Sequence, residues 1–92
     1  MTLLGDDQIE ARLADLEGWE RQGEAIVKAF GCGDFVGSVK FAGALVAPAE
    51  EMGHHPDLEI SWDTVTVTIS THSAGGLTAA DFELAAKIDA LA

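Results

Sequence analysis

Cysteine occurs once in the 92 residues, at Cys32, so no intramolecular disulfide can form and no cysteine pair is present to start a zinc knuckle. A reducing compartment is the expected setting, with Cys32 serving as a small buried apolar residue at a strand edge. Basic residues are also scarce: 5 Lys and Arg stand against 16 Asp and Glu, a formal net charge of -11 at pH 7. An acidic surface of that size repels phosphate backbones and anionic membranes, which argues against direct nucleic-acid binding. No apolar run approaches the roughly 18 residues that a membrane span requires, and Met1 to Asp6 lack the basic and long apolar regions of a leader. A cytoplasmic protein with no membrane association is therefore expected. The acidic residues are scattered through helix-like segments and form no tail, which suits a solvated surface better than an interaction arm.

With 48% hydrophobic residues, the chain can build one core, so residues 1–92 are read as a single domain. Ile9, Leu13 and Leu16 recur at helical spacing after Asp6 and Asp7 and before Gly18, which predicts a helix over about residues 6 to 17. Trp19 to Arg21 and Ala25 to Phe30 flank Gln22-Gly23-Glu24, the pattern of two antiparallel strands joined by a glycine-containing turn. From Asp34 to Glu51, Phe35, Val39, Ala42, Val46 and Ala49 form a helical stripe expected to face the core. Pro48 should kink or unwind its last turn.

Further along, Leu58, Ile60 and Trp62, then Val65, Val67 and Ile69, alternate with polar residues. These predict two half-buried strands in a hairpin turning near Trp62-Asp63. Phe30 and Trp62 are both expected in the core. Thr78 then opens a last helix with Phe82, Ala85, Ile88 and Leu91 on one face. The sum is an α+β fold of order α-β-β-α-β-β-α, a four-stranded antiparallel sheet with three helices packed on one face. The uncovered sheet face and edge of so small a domain favour association into a dimer or tetramer.

All three histidines lie between residues 54 and 72: His54 and His55 before Pro56, and His72 after the last strand. Histidine can both give and take a proton near neutrality. Neighbouring residues of an extended chain point to opposite faces, so His54 and His55 can share a site only if the backbone bends there, which Gly53 and Pro56 permit. By parity with Thr64, Thr66, Thr68 and Ser70, His72 should emerge on the polar side of its strand or just past its end. Glu50 taken alone is a solvated acid, and Asp81, three residues after Thr78, is a helix-capping acid. Adjacent histidines diverge and suit a shared zinc ion poorly, and no serine sits in a nucleophile-elbow setting. Acid–base chemistry on a small molecule fits better than a metal or a nucleophile.

These residues carry a likeness to a known family. Leu13-Ala14-Asp15-Leu16-Glu17-Gly18-Trp19, Asp34-Phe35, Ala49-Glu50, His54-His55-Pro56, Thr71-His72, Gly76-Leu77-Thr78, Asp81, Leu84-Ala85 and Ile88-Asp89 together resemble pterin-4a-carbinolamine dehydratases over almost the whole chain. The resemblance implies the same α+β fold, a homodimer or homotetramer, and dehydration of 4a-hydroxytetrahydrobiopterin to the quinonoid dihydropterin in the recycling of that cofactor. It implies that His54, His55 and His72 are the catalytic histidines and that Glu50 and Asp81 are the carboxylates near them. It also implies that His54, His55 and Pro56, with Thr71, His72, Ser73 and Ala74, contact the pterin. Gly53, Leu58 and the run Ile60 to Asp63 depart from common family residues, and with Pro48 they bear on pocket shape. A role as a binding or assembly partner, such as a dimerisation cofactor or a chaperone, is the alternative function. A zinc-dependent hydrolase is a distant third.

Overall fold

In the computed structural model, which describes residues 2–92, helix α1 (Asp6–Ala14) precedes a hairpin of β1 (Glu20–Gln22) and β2 (Ala25–Gly31). Helices α2 (Phe35–Ala44) and α3 (Val46–Met52) lead to a second hairpin of β3 (Asp57–Ser61) and β4 (Thr64–Ile69). A single 3-10 turn (His72–Ala74) and helix α4 (Ala79–Asp89) follow. The four strands form one antiparallel sheet in the order β1-β2-β4-β3, so the two hairpins join through their second strands. The α+β architecture read from the sequence is the one observed. Its second helix is divided in two at Leu45, and α1 ends at Ala14, earlier than the expected residue 17.

The core forms where the inward positions of β2 and β4 meet the helices. Ile26 pairs with Ile69, Lys28 with Val67 and Phe30 with Val65, and the apolar members of these pairs are at most 6% exposed. Phe82, Leu84, Ala85 and Ile88 of α4, Ile9 of α1 and Leu45 complete the same cluster. Burying a side chain of this size contributes about 1.5–3 kcal/mol, so the pair of central strands and α4 dominate stability. Lys28 reaches polar partners from its inward position. Its ammonium donates to Asp89 and to the Glu17 carbonyl, each at 2.9 Å, and lies over the Phe30 ring.

Pro48 acts earlier than expected. Its missing N–H and its ring disfavour a continuous helix one turn upstream, and the break falls at Leu45, leaving Pro48 in the first turn of α3, where proline is tolerated.

The stripe Phe35, Val39, Ala42, Val46 and Ala49 does not face the core as a unit. Phe35, Val39 and Val46 are 57%, 47% and 59% exposed, whereas Ser38, Leu45 and Ala49 are buried. A close approach sets this rotation. At Gly37 an added Cβ would lie 2.2 Å from the Cys32 carbonyl oxygen. Next to it, the Ser38 hydroxyl contacts the carbonyls of Asp34 and Trp62 at 3.0 and 2.7 Å. Helix α2 therefore sets Gly37 against the segment after β2, buries Ser38, and turns its valines outward.

Strand β3 differs too. All five of its residues are exposed, Leu58 and Ile60 at 40% and 38%, because it is an edge strand whose inner side is only partly covered. Trp62, expected in the core, sits in the two-residue β3–β4 turn at φ +48° and is 70% exposed. Cys32 is half-buried just after β2, and Leu91 lies beyond α4 at 46% exposure.

Candidate functional site

Three chain reversals converge at one corner of the fold. Helix α3 stops at Gly53, whose left-handed conformation (φ 61°) caps it and lets the His54 N–H donate to the Ala49 carbonyl at 3.0 Å. Any residue with a Cβ is disfavoured there, so glycine at this position serves the turn directly. Strand β4 ends in a loop closed by the Thr71 N–H, which donates to the Gly76 carbonyl at 3.0 Å. Helix α4 starts at Thr78 with a capping box completed by Asp81.

Asp81 joins all three. It is fully buried, and its Oδ1 lies 2.7 Å from Nε2 of His54. Its Oδ2 accepts from the Thr71 hydroxyl and from the Thr78 N–H, both at 2.8 Å. The capping role expected for Asp81 and the contact with a histidine are thus made by the two oxygens of one carboxylate. His54 has only 11% of its side chain exposed. Nε2 faces Asp81, so Nδ1 is the ring nitrogen outside that contact.

The second histidine goes the other way. Nε2 of His55 pairs with Glu50 Oε2 on the outside of α3, with side chains 63% and 66% exposed. His55, Glu50 and Pro56 form one wall of a hollow of about 290 Å³ between the α2–α3 joint and β3. Ala42, Leu45, Val46, Ala49 and Leu58 supply the remaining, apolar wall. His72 opens the 3-10 turn, exposed, with Nε2 3.4 Å from the Ser70 hydroxyl. Ser73 is exposed and Ala74 half-buried in the same turn. Among the described residues, no three His, Cys, Asp or Glu side chains are grouped to hold a metal ion, and no helix is long and apolar enough to cross a membrane.

Of the residues singled out from the sequence, His54, Asp81 and Thr71 are bonded in one chain, and His55, Glu50 and Pro56 share the hollow beside it. His72 follows Thr71 directly. The Thr71 hydroxyl is the feature that sequence reasoning passed over. A signal existed: residue 71 has the parity of Val65, Val67 and Ile69, so a threonine there points inward and needs a polar partner.

The sequence profile of the family described as pterin 4 alpha carbinolamine dehydratase matches residues 2–91. The chain belongs to this family. A relative from Roseiflexus castenholzii, provisionally named pterin-4-alpha-carbinolamine dehydratase, is 52% identical over 87 residues, 95% of this chain and 94% of that one. One from Thermosynechococcus vestitus, named in the same way, is 49% identical over 89 residues, covering 97% and 94% of the two chains. Among solved structures, a transcriptional coactivator/pterin dehydratase from Brucella melitensis superposes with a TM-score of 0.93 at 32% identity, covering 99% of both chains. A pterin dehydratase-like protein described as a RuBisCO assembly factor in the alpha-carboxysome gives a TM-score of 0.68 at 31% identity, over 82% of this chain and 89% of that one.

Proposed function

We propose that this pterin-4a-carbinolamine dehydratase family member is an active 4a-hydroxytetrahydrobiopterin dehydratase. The buried His54–Asp81 pair carries the reading: a carboxylate removed from solvent to orient an imidazole, at a corner that also holds two further histidines, is an arrangement for proton transfer. In the reaction the C4a–O bond breaks, the hydroxyl leaves as water with a donated proton, and the N5–H electrons form the C4a=N5 bond of the quinonoid product as N5 loses its proton. His54 suits the base. When its Nδ1 takes the N5 proton, the imidazolium formed rests against the Asp81 carboxylate, as in other carboxylate–histidine pairs. The proton for the departing hydroxyl comes from an exposed histidine, His55 or His72. The hollow beside His55, with Pro56 at its edge, receives part of the pterin, and Ser73 and Ala74, in the turn that begins at His72, supply further contacts. No metal or organic cofactor takes part.

The test is turnover of a 4a-hydroxypterin generated in situ, followed by absorbance. The purified protein should accelerate dehydration, and His72→Ala should lower the rate by about 10²–10⁴-fold. A wild-type rate equal to that in buffer would end the proposal.

A second reading is favoured by one observation, the outward-turned apolar belt of Phe35, Val36, Val39 and Val46 on α2–α3. It fits an association surface, and a structural neighbour described as a RuBisCO assembly factor is consistent with a non-catalytic role in this fold. In this chain the belt and the open edge of β3 support a homodimer or homotetramer. A stable stoichiometric foreign partner in native extract, combined with no turnover, would favour a binding or assembly protein over an enzyme.

A further inference from the structure

We propose that Thr71 is a positioning residue that fixes the proton of His54 and ties that histidine to the loop carrying His72. The inference rests on the dehydratase reading for its kinetic consequence, while its structural part stands on the proton placement. Thr71 is 3% exposed, and its Oγ1 lies 2.8 Å from Asp81 Oδ2 and 2.9 Å from Thr78 Oγ1. A carboxylate in this role accepts only, so the single Thr71 hydroxyl proton goes to Asp81, and the Thr78 hydroxyl donates to Thr71 in turn. Asp81 Oδ2 then holds two donors, Thr71 O–H and Thr78 N–H, and its orientation is determined from two elements at once. Oδ1 is thereby aimed at His54 Nε2. This makes Nε2–H the enforced tautomer and Nδ1 the reacting nitrogen. No buried side-chain nitrogen or oxygen among the described residues lacks a partner, so the network has no slack.

The backbone of the same residue does a second job. The Thr71 carbonyl accepts from Ala74 N–H at 3.0 Å and Gly75 N–H at 3.1 Å, and its N–H bonds Gly76. These bonds shape the 3-10 turn that begins at His72. One residue therefore sets the position of His72 through its main chain and the tautomer of His54 through its side chain.

Nitrogen-15 NMR of the histidine rings in the full-length protein tests the assignment without any ligand. His54 should show Nε2–H with an unprotonated Nδ1 in its neutral form. Thr71→Val, which keeps shape and removes the hydroxyl, should yield a mixture of tautomers and a kcat lowered roughly tenfold to hundredfold with KM little changed. Thr71→Ser should restore both. An Nδ1–H tautomer in the wild type, a valine variant with unchanged tautomer, or a serine variant that fails to rescue would each overturn the proposal. If the valine variant does not fold, the wild-type and serine spectra still decide it. A wild-type protein with the expected tautomer and no turnover would refute the dehydratase reading alone.

Discussion

Replacing Asp81 with alanine should unfold much of the protein's margin of stability along with its chemistry. Asp81 is fully buried and accepts from three groups: Thr71 O–H, Thr78 N–H and His54 Nε2. Thr71 and Thr78 are themselves 3% and 2% exposed, so water cannot replace the lost acceptor at those two donors. A hydrogen bond to a charged group contributes about 1.5–3 kcal/mol, and a stranded buried donor costs a similar amount. Two fully buried donors therefore place the loss at about 3–6 kcal/mol, with His54 adding little because part of its ring reaches solvent. A domain of this size has about 5–14 kcal/mol in total, so the variant should be largely folded at low temperature and melt more than about 12 °C early. Urea titration followed by circular dichroism measures the difference directly, and Asp81→Asn, which keeps an oxygen for one donor, should lose less. A loss below about 1 kcal/mol for Asp81→Ala would show that the network contributes little and that the reasoning from buried donors is wrong.

Gly37→Ala should destabilise the protein by about 2 kcal/mol or more, although alanine favours a helix by about 1 kcal/mol, because its Cβ would stand 2.2 Å from the Cys32 carbonyl oxygen; a neutral or stabilised variant in denaturant would refute the close approach. Glu50→Gln should slow dehydration by less than about tenfold, since its pair with His55 is more than 60% exposed and solvent screens it. A loss above a hundredfold in the same turnover assay would place Glu50 at the reacting atoms. Val39→Asp should reduce the mass seen by analytical ultracentrifugation without changing the far-ultraviolet spectrum, and an unchanged mass would remove the belt from any self-association.

Much of this fold follows from local signals that tertiary contacts had no reason to overturn. Val65, Val67 and Ile69 alternate with threonine and are fully buried on one side; Thr78 caps α4, and Phe82, Ala85 and Ile88 face inward. The bend at Gly53, the divergence of His54 from His55, and the exposure of His72 were also legible, because proline, glycine and strand parity constrain the backbone directly. The failures share a different cause. Apolar side chains facing an uncovered surface look, in one sequence, the same as those facing a core, so periodicity alone places Phe35, Val39, Val46, Leu58 and Trp62 inside. Which face of α2 meets the sheet is decided by Gly37 and Ser38, through a backbone approach and two hydroxyl contacts with no periodic signature. The partner of His54 lies 27 residues away on another element, a pairing that only the closed fold reveals.

The unequal burial of the two histidine pairs gives the site a rigid half and a compliant half. His54 and Asp81 are fastened to the start of α4, whose inner face belongs to the core, so amide exchange at Thr78 and Asp81 should approach the rate of global unfolding. His55 and Glu50 border a hollow closed on one side by the exposed edge strand β3, where opening requires far less of the structure to come apart. If the proposed dehydration takes place here, pterins that differ in their side chains would be accommodated by movement on the His55 side, while His54 stays where the core holds it.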